Sequence, residues 1–220
     1  MELVLVDMAA LLRVASTLTH TTNITESGLF IILGGDKLRE CAAARSVAAL
    51  PQVRVVLLSS GAAAESDLVS ELAAVKRHDV SVCVDRRAVD TVSNCTSLAP
   101  DVASAGIKQC TLCTARAHAR RAGAVGTLIF AALGVRVRVR TVETGEPQEG
   151  ILRCLRDVIR AILWVTIGLD LSSFAAILHS RRAADSNEWC AREGDASVRR
   201  LRDALKKVAA HDAACEHVLR

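Results

Sequence analysis

Three short apolar runs, each followed by a turn and a helical pattern, dominate the first half of the chain. The runs occupy residues 29–33, 53–58 and 80–84. Each run is continuous rather than alternating, which is typical of strands buried on both faces of a parallel sheet. Residues 36–50 and 62–76, which separate the runs, have the spacing of helices. Because this βαβαβ order requires crossover connections, it predicts a parallel sheet.

The second half of the chain continues this pattern with weaker signals. Residues 107–115 form a candidate fourth strand, and residues 135–140 alternate Val with Arg, as a strand with one solvent-exposed face does. Residues 151–162 have helical spacing, while 163–169 are apolar enough for a buried strand. Residues 198–219 predict an amphipathic helix. The fold class expected is α/β: a Rossmann-like doubly wound parallel sheet with helices on both faces and a C-terminal amphipathic helix.

The length of 220 residues suits one core or at most two small domains. Residues 1–27 contain a short strand and helix pattern followed by a polar, Thr-rich linker, so the main domain is expected to span 28–220. Aromatic residues make up only 2% of the chain, so Ala, Val and Leu must build its core.

The eight cysteines are scattered along the chain, and no signal-peptide pattern precedes them. This spacing favours reduced thiols and a cytoplasmic location over a secreted disulfide scaffold. The longest uncharged apolar stretch, residues 122–135, is too short to span a bilayer, so we expect no membrane partner.

Cys110, Cys113 and His118 hint at a zinc site, but a structural site needs four ligands and no second pair follows. Two core thiols are therefore the favoured interpretation, and no metal is predicted. Between Val102 and Val142 the chain has no acid and seven basic residues: Lys108, Arg116, Arg120, Arg121, Arg136, Arg138 and Arg140. Such a segment suits a polyanion surface. Because it offers one aromatic ring for stacking, and the net charge is only +4, the solvent face of a strand is the simpler interpretation and nucleic acid is not expected.

Four motifs carry a family resemblance. GLFIILGG ends in Gly34 and Gly35, VVLLSSG contains Ser59, VCVD ends in Asp85, and LSSFAAIL contains Ser173. Their order and spacing resemble the ketoreductase domains of modular polyketide and fatty-acid synthases, members of the short-chain dehydrogenase/reductase family. The resemblance implies that Gly34, Gly35, Ser59 and Asp85 bind NADP. It also implies that Ser173 is the catalytic serine.

The family resemblance further implies an NADPH-dependent β-ketoacyl reductase whose partners are other synthase domains or an acyl-carrier protein. The chain departs from that pattern, because it has no Tyr and no Lys in the catalytic region. Lys37 and Glu40 replace glycines of the phosphate loop, where Glu40 would repel phosphates, and Ser60 replaces the Arg that pairs with the 2′-phosphate. Residues 116–150 match the family pattern poorly, and we expect them to be an insertion.

Because the catalytic and cofactor-binding residues depart from the family pattern, we expect lost or impaired reductase activity. The alternative is a non-enzymatic interaction module that uses the Arg-rich segment to bind a polyanion or a protein.

Reduction of a β-ketoacyl thioester by NADPH should be undetectable above background, because the chain has no phenol to protonate the developing alkoxide. General acid catalysis alone contributes about 10²–10⁴-fold to such rates. The measurement is NADPH consumption by the wild-type chain and by Ser173→Ala, which should give the same background rate. Stereospecific reduction that Ser173→Ala abolishes would contradict this expectation.

Overall fold

A computed structural model describes residues 27–145, 147–169 and 180–218, with side chains left out at 180–182 and 215–218. Within these residues one sheet of five parallel strands runs in the order β3-β2-β1-β4-β5. The strands are β1 (Leu29–Leu33), β2 (Val55–Ser59), β3 (Ser81–Asp85), β4 (Gln109–Ala115) and β5 (Arg136–Val142).

Helices follow the strands in alternation and continue to the end of the described chain. They are α1 (Lys37–Ser46), α2 (Glu65–Ala74), α3 (Thr91–Ser104), α4 (Ala119–Ala132), α5 (Ile151–Ile167), α6 (Ser180–Trp189) and α7 (Asp195–Val218). A π-helical segment, Cys190–Gly194, joins α6 to α7, and short 3₁₀ turns occupy Val47–Ala49 and Arg116–His118. None of the helices in the described residues combines the length and apolar composition needed to cross a lipid bilayer.

The sheet is covered on both faces, as the continuous apolar strands predict. Alternate residues of β1 point to opposite sides: Leu29 and Ile31 belong to one buried cluster, and Phe30 and Ile32 to the other. The first cluster is completed by α3, α4 and α7, the second by α1 and α2. The predicted fold class, a doubly wound parallel sheet with helices on both faces, is therefore confirmed, and so is the C-terminal helix; β1 lies between β2 and β4.

The sequence predicted a buried strand at residues 163–169, and this prediction is wrong. Most of the run is the last part of α5, which is capped by Gly168 in the left-handed conformation (φ 65°). The prediction failed because the outward face of α5 is itself apolar, so the polar positions that reveal a helix on the protein surface are missing there.

Residues 116–150, expected as an insertion, supply α4 and β5. β5 pairs with β4 along its whole length, from Gln109 opposite Arg136 to Ala115 opposite Val142. This segment is therefore part of the sheet. The alternation of Val and Arg that it carries is explained by the position of β5 at the edge of the sheet.

The two thiols of the C-x-x-C pair lie on opposite faces of β4, since Cys110 packs in one core cluster and Cys113 in the other. Their separation across the sheet prevents them from binding one metal ion together. Among the described residues no group of three or more His, Cys, Asp or Glu is arranged to hold a metal.

Folded protein should react with iodoacetamide at Cys190, which is exposed, and not at Cys95 or Cys113. Burial raises the pKa of the Cys95 and Cys113 thiols to about 12, so little reactive thiolate forms at neutral pH. Mass spectrometry of labelled peptides, before and after unfolding in guanidinium, measures this difference. Rapid labelling of Cys113 in the folded protein would show that β4 does not lie inside the sheet.

Candidate functional site

The carboxyl ends of β1 and β4 border a cleft of about 640 Å³. In the order β3-β2-β1-β4-β5 the chain reverses its winding direction between these two strands, so the loops that follow them diverge and leave a crevice. Gly34 and Gly35 after β1, Thr114 near the end of β4, and Thr91 and Asn94 of α3 contribute to its wall.

The carboxylate of Glu40 joins the loop after β1 to the loop after β2. Its Oε1 accepts hydrogen bonds from the backbone N–H groups of Gly35 (2.6 Å), Asp36 (3.0 Å) and Ala62 (3.1 Å), and its Oε2 accepts one from Ala63 (2.7 Å). The Glu40 side chain is fully buried. A buried carboxylate is stable only with such partners, and four converging N–H groups near the start of a helix supply them.

These two loops also approach one another very closely. The Gly34 N–H donates to the Ser59 carbonyl at 2.9 Å, and a Cβ atom on Gly34 would lie 2.3 Å from the Cα of Gly61. No side chain fits in that space. Gly35 adopts a φ of 141°, a region that favours glycine, and this turn aims its N–H at Glu40.

In a phosphate-binding loop the backbone N–H groups between the first strand and the first helix point toward the ligand. In this chain two of those groups, on Gly35 and Asp36, already donate to Glu40. Asp36 also caps α1, because its carboxylate accepts the Arg39 N–H at 2.8 Å. The two negative charges at this end of α1 therefore take the place that the phosphates of a dinucleotide would need.

Three of the residues predicted to bind NADP lie beside one another, at the ends of neighbouring strands. Leu33, which precedes Gly34, pairs with Ser59, and Ser59 pairs with Asp85. Ser59 is fully buried and does not line the cleft. Its Oγ donates a hydrogen bond to Oδ1 of Asn94, a cleft residue, at 3.1 Å. Gly35, the fourth of them, lines the cleft with Gly34. Ser173, the predicted catalytic serine, lies outside the described residues.

Asp85 is buried and paired with an arginine that follows it in the chain. Arg87 contacts both Asp85 oxygens at 2.9 Å and reaches Asp101 at 2.8 Å. Burial would lower the pKa of Arg87, but the hydrogen bonds and charges of the two carboxylates outweigh it and raise that pKa. Asp85 does not line the cleft. Its observed contacts attach the end of β3 to α3.

A network of ion pairs forms the far wall of the cleft, and its centre is Asp157 on α5. This carboxylate has no solvent exposure and lies 3.0 Å from Arg121, 2.8 Å from Arg156 and 3.5 Å from Arg160. Arg160 also reaches Asp90, the residue that caps α3, at 2.6 Å. A carboxylate buried this completely requires paired cations, so the network fixes α3, α4 and α5 around the cleft.

The same network extends to the loop between β5 and α5. Glu149 lies 2.6 Å from Arg121 Nε and 3.0 Å from His118 Nδ1. The sequence motifs revealed neither Glu149 nor His118 as cleft residues, because their partners lie on other elements. One signal was available: Arg153, Asp157 and Arg160 recur at helical spacing on an otherwise apolar helix.

The Asp90 carboxylate is held in its charged form. Burial alone would raise its pKa, but the hydrogen bonds from the Ser93 backbone and from the Arg160 guanidinium outweigh burial and lower that pKa. Arg160 is therefore neutralised from two sides, by Asp90 and Asp157. It holds the helices in place and has no charge left for a ligand.

Replacing Glu40 by Gln should lower the free energy of unfolding by about 3 kcal/mol, because hydrogen bonds to a charged acceptor are lost and buried N–H groups lose their partner. Glu65→Gln is the matched control, since Glu65 is exposed in the first turn of α2. Its effect should stay within about 0.5 kcal/mol. Urea unfolding followed by circular dichroism measures both. Equal stability of the two variants would show that the Glu40 contacts do not exist.

No protein-family model, no curated protein and no solved structure matches this chain. Its function is therefore inferred from the geometry of its own residues.

Proposed function

We propose that this chain is a Rossmann-like binding domain that takes up a small organic molecule bearing one carboxylate or phosphate group in the cleft between β1 and β4. The observation that carries the proposal is the guanidinium group of Arg153, which lines the cleft. Within the described part of the chain this group makes no hydrogen bond or ion pair of its own.

The acids of the cleft are all engaged by the protein. Asp36 accepts the Arg39 backbone N–H, Asp90 pairs with Arg160, and Glu149 pairs with Arg121. The charges of Asp90 and Glu149 are thus offset by arginines other than Arg153 before any ligand enters. An incoming anion would supply the partner that this guanidinium lacks, and a guanidinium can bind a carboxylate or a phosphate with two parallel hydrogen bonds.

Arg156 strengthens the same end of the cleft. Its side chain is about half exposed (49%), although one edge of its guanidinium contacts Asp157. The hydrogen bond to Asp157 is the largest influence on Arg156 and raises its pKa, so it stays charged. Arg153 and Arg156 are three residues apart on α5 and therefore lie on one side of the helix, where they can hold one anionic group together.

Uncharged polar side chains also line the cleft. Thr91, Asn94 and Thr114 offer hydroxyl and amide groups near the end of β4 and the start of α3. A volume of about 640 Å³ lies within the range of sites for small organic ligands, roughly 300–1,000 Å³. These features favour a compact polar molecule whose acid group lies at the arginines and whose neutral groups lie at the strand ends.

The ketoreductase resemblance, with NADP as cofactor and an acyl-carrier protein or other synthase domains as partners, remains a prediction. The contacts of Glu40 support the expectation that NADPH binding is weak, since a pyrophosphate in the usual position would have to displace a buried carboxylate from its N–H partners. A small anion at Arg153 requires no such displacement, so the proposal does not depend on the fate of the phosphate loop.

The Arg-rich segment gives less support to the rival interaction module. Arg121 is engaged in the cleft network and Arg116 pairs with Glu143 at 2.8 Å. Arg136 is the first residue of β5, so it lies at the amino-terminal ends of the strands, whereas the cleft lies at their carboxyl ends. The fold thus distributes the segment over several surfaces.

Substitution of Arg153 by Gln should weaken binding of an anionic probe at least tenfold, since loss of a charge-assisted contact is worth about 1.5–3 kcal/mol. Arg136→Gln removes the same charge away from the cleft and should leave binding unchanged. Inorganic phosphate and acetate serve as probes, followed by the amide NMR shifts of Gly34, Gly35 and Asn94.

NADPH, titrated in the same way, should produce no saturable shift at micromolar concentration. Equal loss of probe binding in the Arg153 and Arg136 variants would indicate general charge attraction and would refute the proposed site. Micromolar NADPH binding would instead favour the ketoreductase prediction.

A further inference from the structure

The helix α5 is oriented with its apolar face toward solvent. Seven of the ten large apolar side chains that are exposed in the described residues lie on α5 or directly after it. They are Ile151 (62%), Leu152 (77%), Leu155 (55%), Ile159 (49%), Ile162 (40%), Ile167 (64%) and Leu169 (44%). Five of them, Ile151, Leu152, Leu155, Ile159 and Ile162, lie on one side of the helix, and we call these five side chains the α5 apolar face.

Asp157 and Arg160 lie on the opposite side of α5, toward the domain, where Asp157 is fully buried and Arg160 is 12% exposed. Arg153 and Arg156 lie at the cleft. Ala161 packs into the hydrophobic core. A surface helix normally buries its apolar stripe and exposes its charges. On α5 an ion-pair network is buried while an apolar side faces solvent, and exposed apolar surface of this kind is typical of an interaction site.

The spacing of the α5 apolar face identifies the kind of surface that fits. Leu152, Leu155, Ile159 and Ile162 follow one another at intervals of three, four and three residues. This alternation is the seam of two helices that pack side by side with side chains interleaved. A helix that lies on a flat apolar surface does not need its apolar residues confined to so narrow a stripe.

The exposed area reaches the size expected of a specific contact between two copies. From their exposed fractions, the five side chains present roughly 500 Å² of apolar surface. Two such faces in contact would bury roughly 1,000 Å², the lower end of the range of specific protein interfaces.

We propose that the α5 apolar face binds the same face of a second copy of this chain, with the two helices antiparallel about a two-fold axis near Ile159. The charges of α5 set the direction. Arg153 and Arg156 lie in its first two turns, and no acid on the helix is exposed, since Asp157 is buried. Parallel helices would place the arginine pairs of both copies at the same end of the dimer, whereas antiparallel helices place them at opposite ends and so lower their mutual repulsion.

A homodimer of this kind has consequences for the cleft. The same helix that contributes Arg153 and Arg156 to the cleft would form the interface, so α5 would be fixed from both sides. The contact is isologous, which is the commonest form of protein dimer and forms closed pairs rather than chains. The inference does not depend on the ligand proposed for the cleft.

The oligomeric state of the full chain tests this proposal, measured by size-exclusion chromatography with light scattering. The wild-type protein should be a dimer, and the double variant Leu155→Ser/Ile159→Ser a monomer with unchanged circular dichroism. The control is Leu38→Ser/Val69→Ser, which changes two comparably exposed side chains (79% and 49%) on α1 and α2. It should remain a dimer.

Cysteine crosslinking tests the direction of the helices. In a Cys190→Ser background, Ile159→Cys should form a disulfide dimer on mild oxidation, because it lies near the two-fold axis. Leu152→Cys should not, since antiparallel helices separate its two copies by most of the helix length. A monomeric wild-type protein would overturn the proposal, whether or not that monomer binds vesicles of anionic lipid. Efficient crosslinking of Leu152→Cys would overturn the antiparallel arrangement.

Discussion

The carboxylate of Glu40, buried and surrounded by backbone N–H groups from two loops, is the interaction on which the carboxyl edge of the sheet depends. It holds the loop after β1 against the loop after β2, and it does so beside the start of α1. The contact is possible because Gly34 and Gly61 leave no side chains between the loops. The turn at Gly34 and Gly35, which lines the cleft, is held in place by this contact.

In the proposed site, anion binding and loop structure depend on different residues. The N–H groups of a Rossmann-like first loop usually receive a ligand phosphate, whereas Gly35 and Asp36 receive a side chain of the protein itself. The positive charge available to a ligand lies instead on α5, at Arg153 and Arg156. The buried Asp157 keeps that helix in place, because three guanidinium groups converge on it. The proposed ligand site therefore lies on the opposite wall of the cleft from the phosphate loop.

The sheet could be predicted from the sequence because parallel strands buried on both faces leave a continuous apolar signal. Residues 29–33 coincide with β1, and Gly34, Ser59 and Asp85 lie near the ends of adjacent strands. The cleft network could not be predicted, since Glu149, Arg121 and Asp157 meet only after three elements have packed. The run at 163–169 was misleading for a different reason. A helix whose outer face is apolar has the same composition as a buried strand, and the polar residues that reveal α5 as a helix, Arg153, Asp157 and Arg160, come before this run.

The resemblance to ketoreductases and the structure agree on the fold class. They differ in the contacts that they assign to Glu40 and Asp85. The motifs implied that Glu40 disfavours phosphate by its charge alone, whereas its contacts give it a structural task that a glycine could not perform. Asp85, expected from the resemblance to bind NADP, has Arg87 as its partner within the protein. In both cases a residue assigned to cofactor chemistry by sequence position is occupied within the protein, and the sequence alone contains no signal for that occupation.

Native-state hydrogen exchange at the amides of Gly35 and Ala62 tests the central role of Glu40 most directly. Both residues are exposed at the surface, so their amides would exchange rapidly if they only faced water. If the Glu40 carboxylate accepts both N–H groups, they should exchange as slowly as amides of the neighbouring strands, through unfolding of the domain. Exchange of either amide at the rate of an open loop would contradict this account.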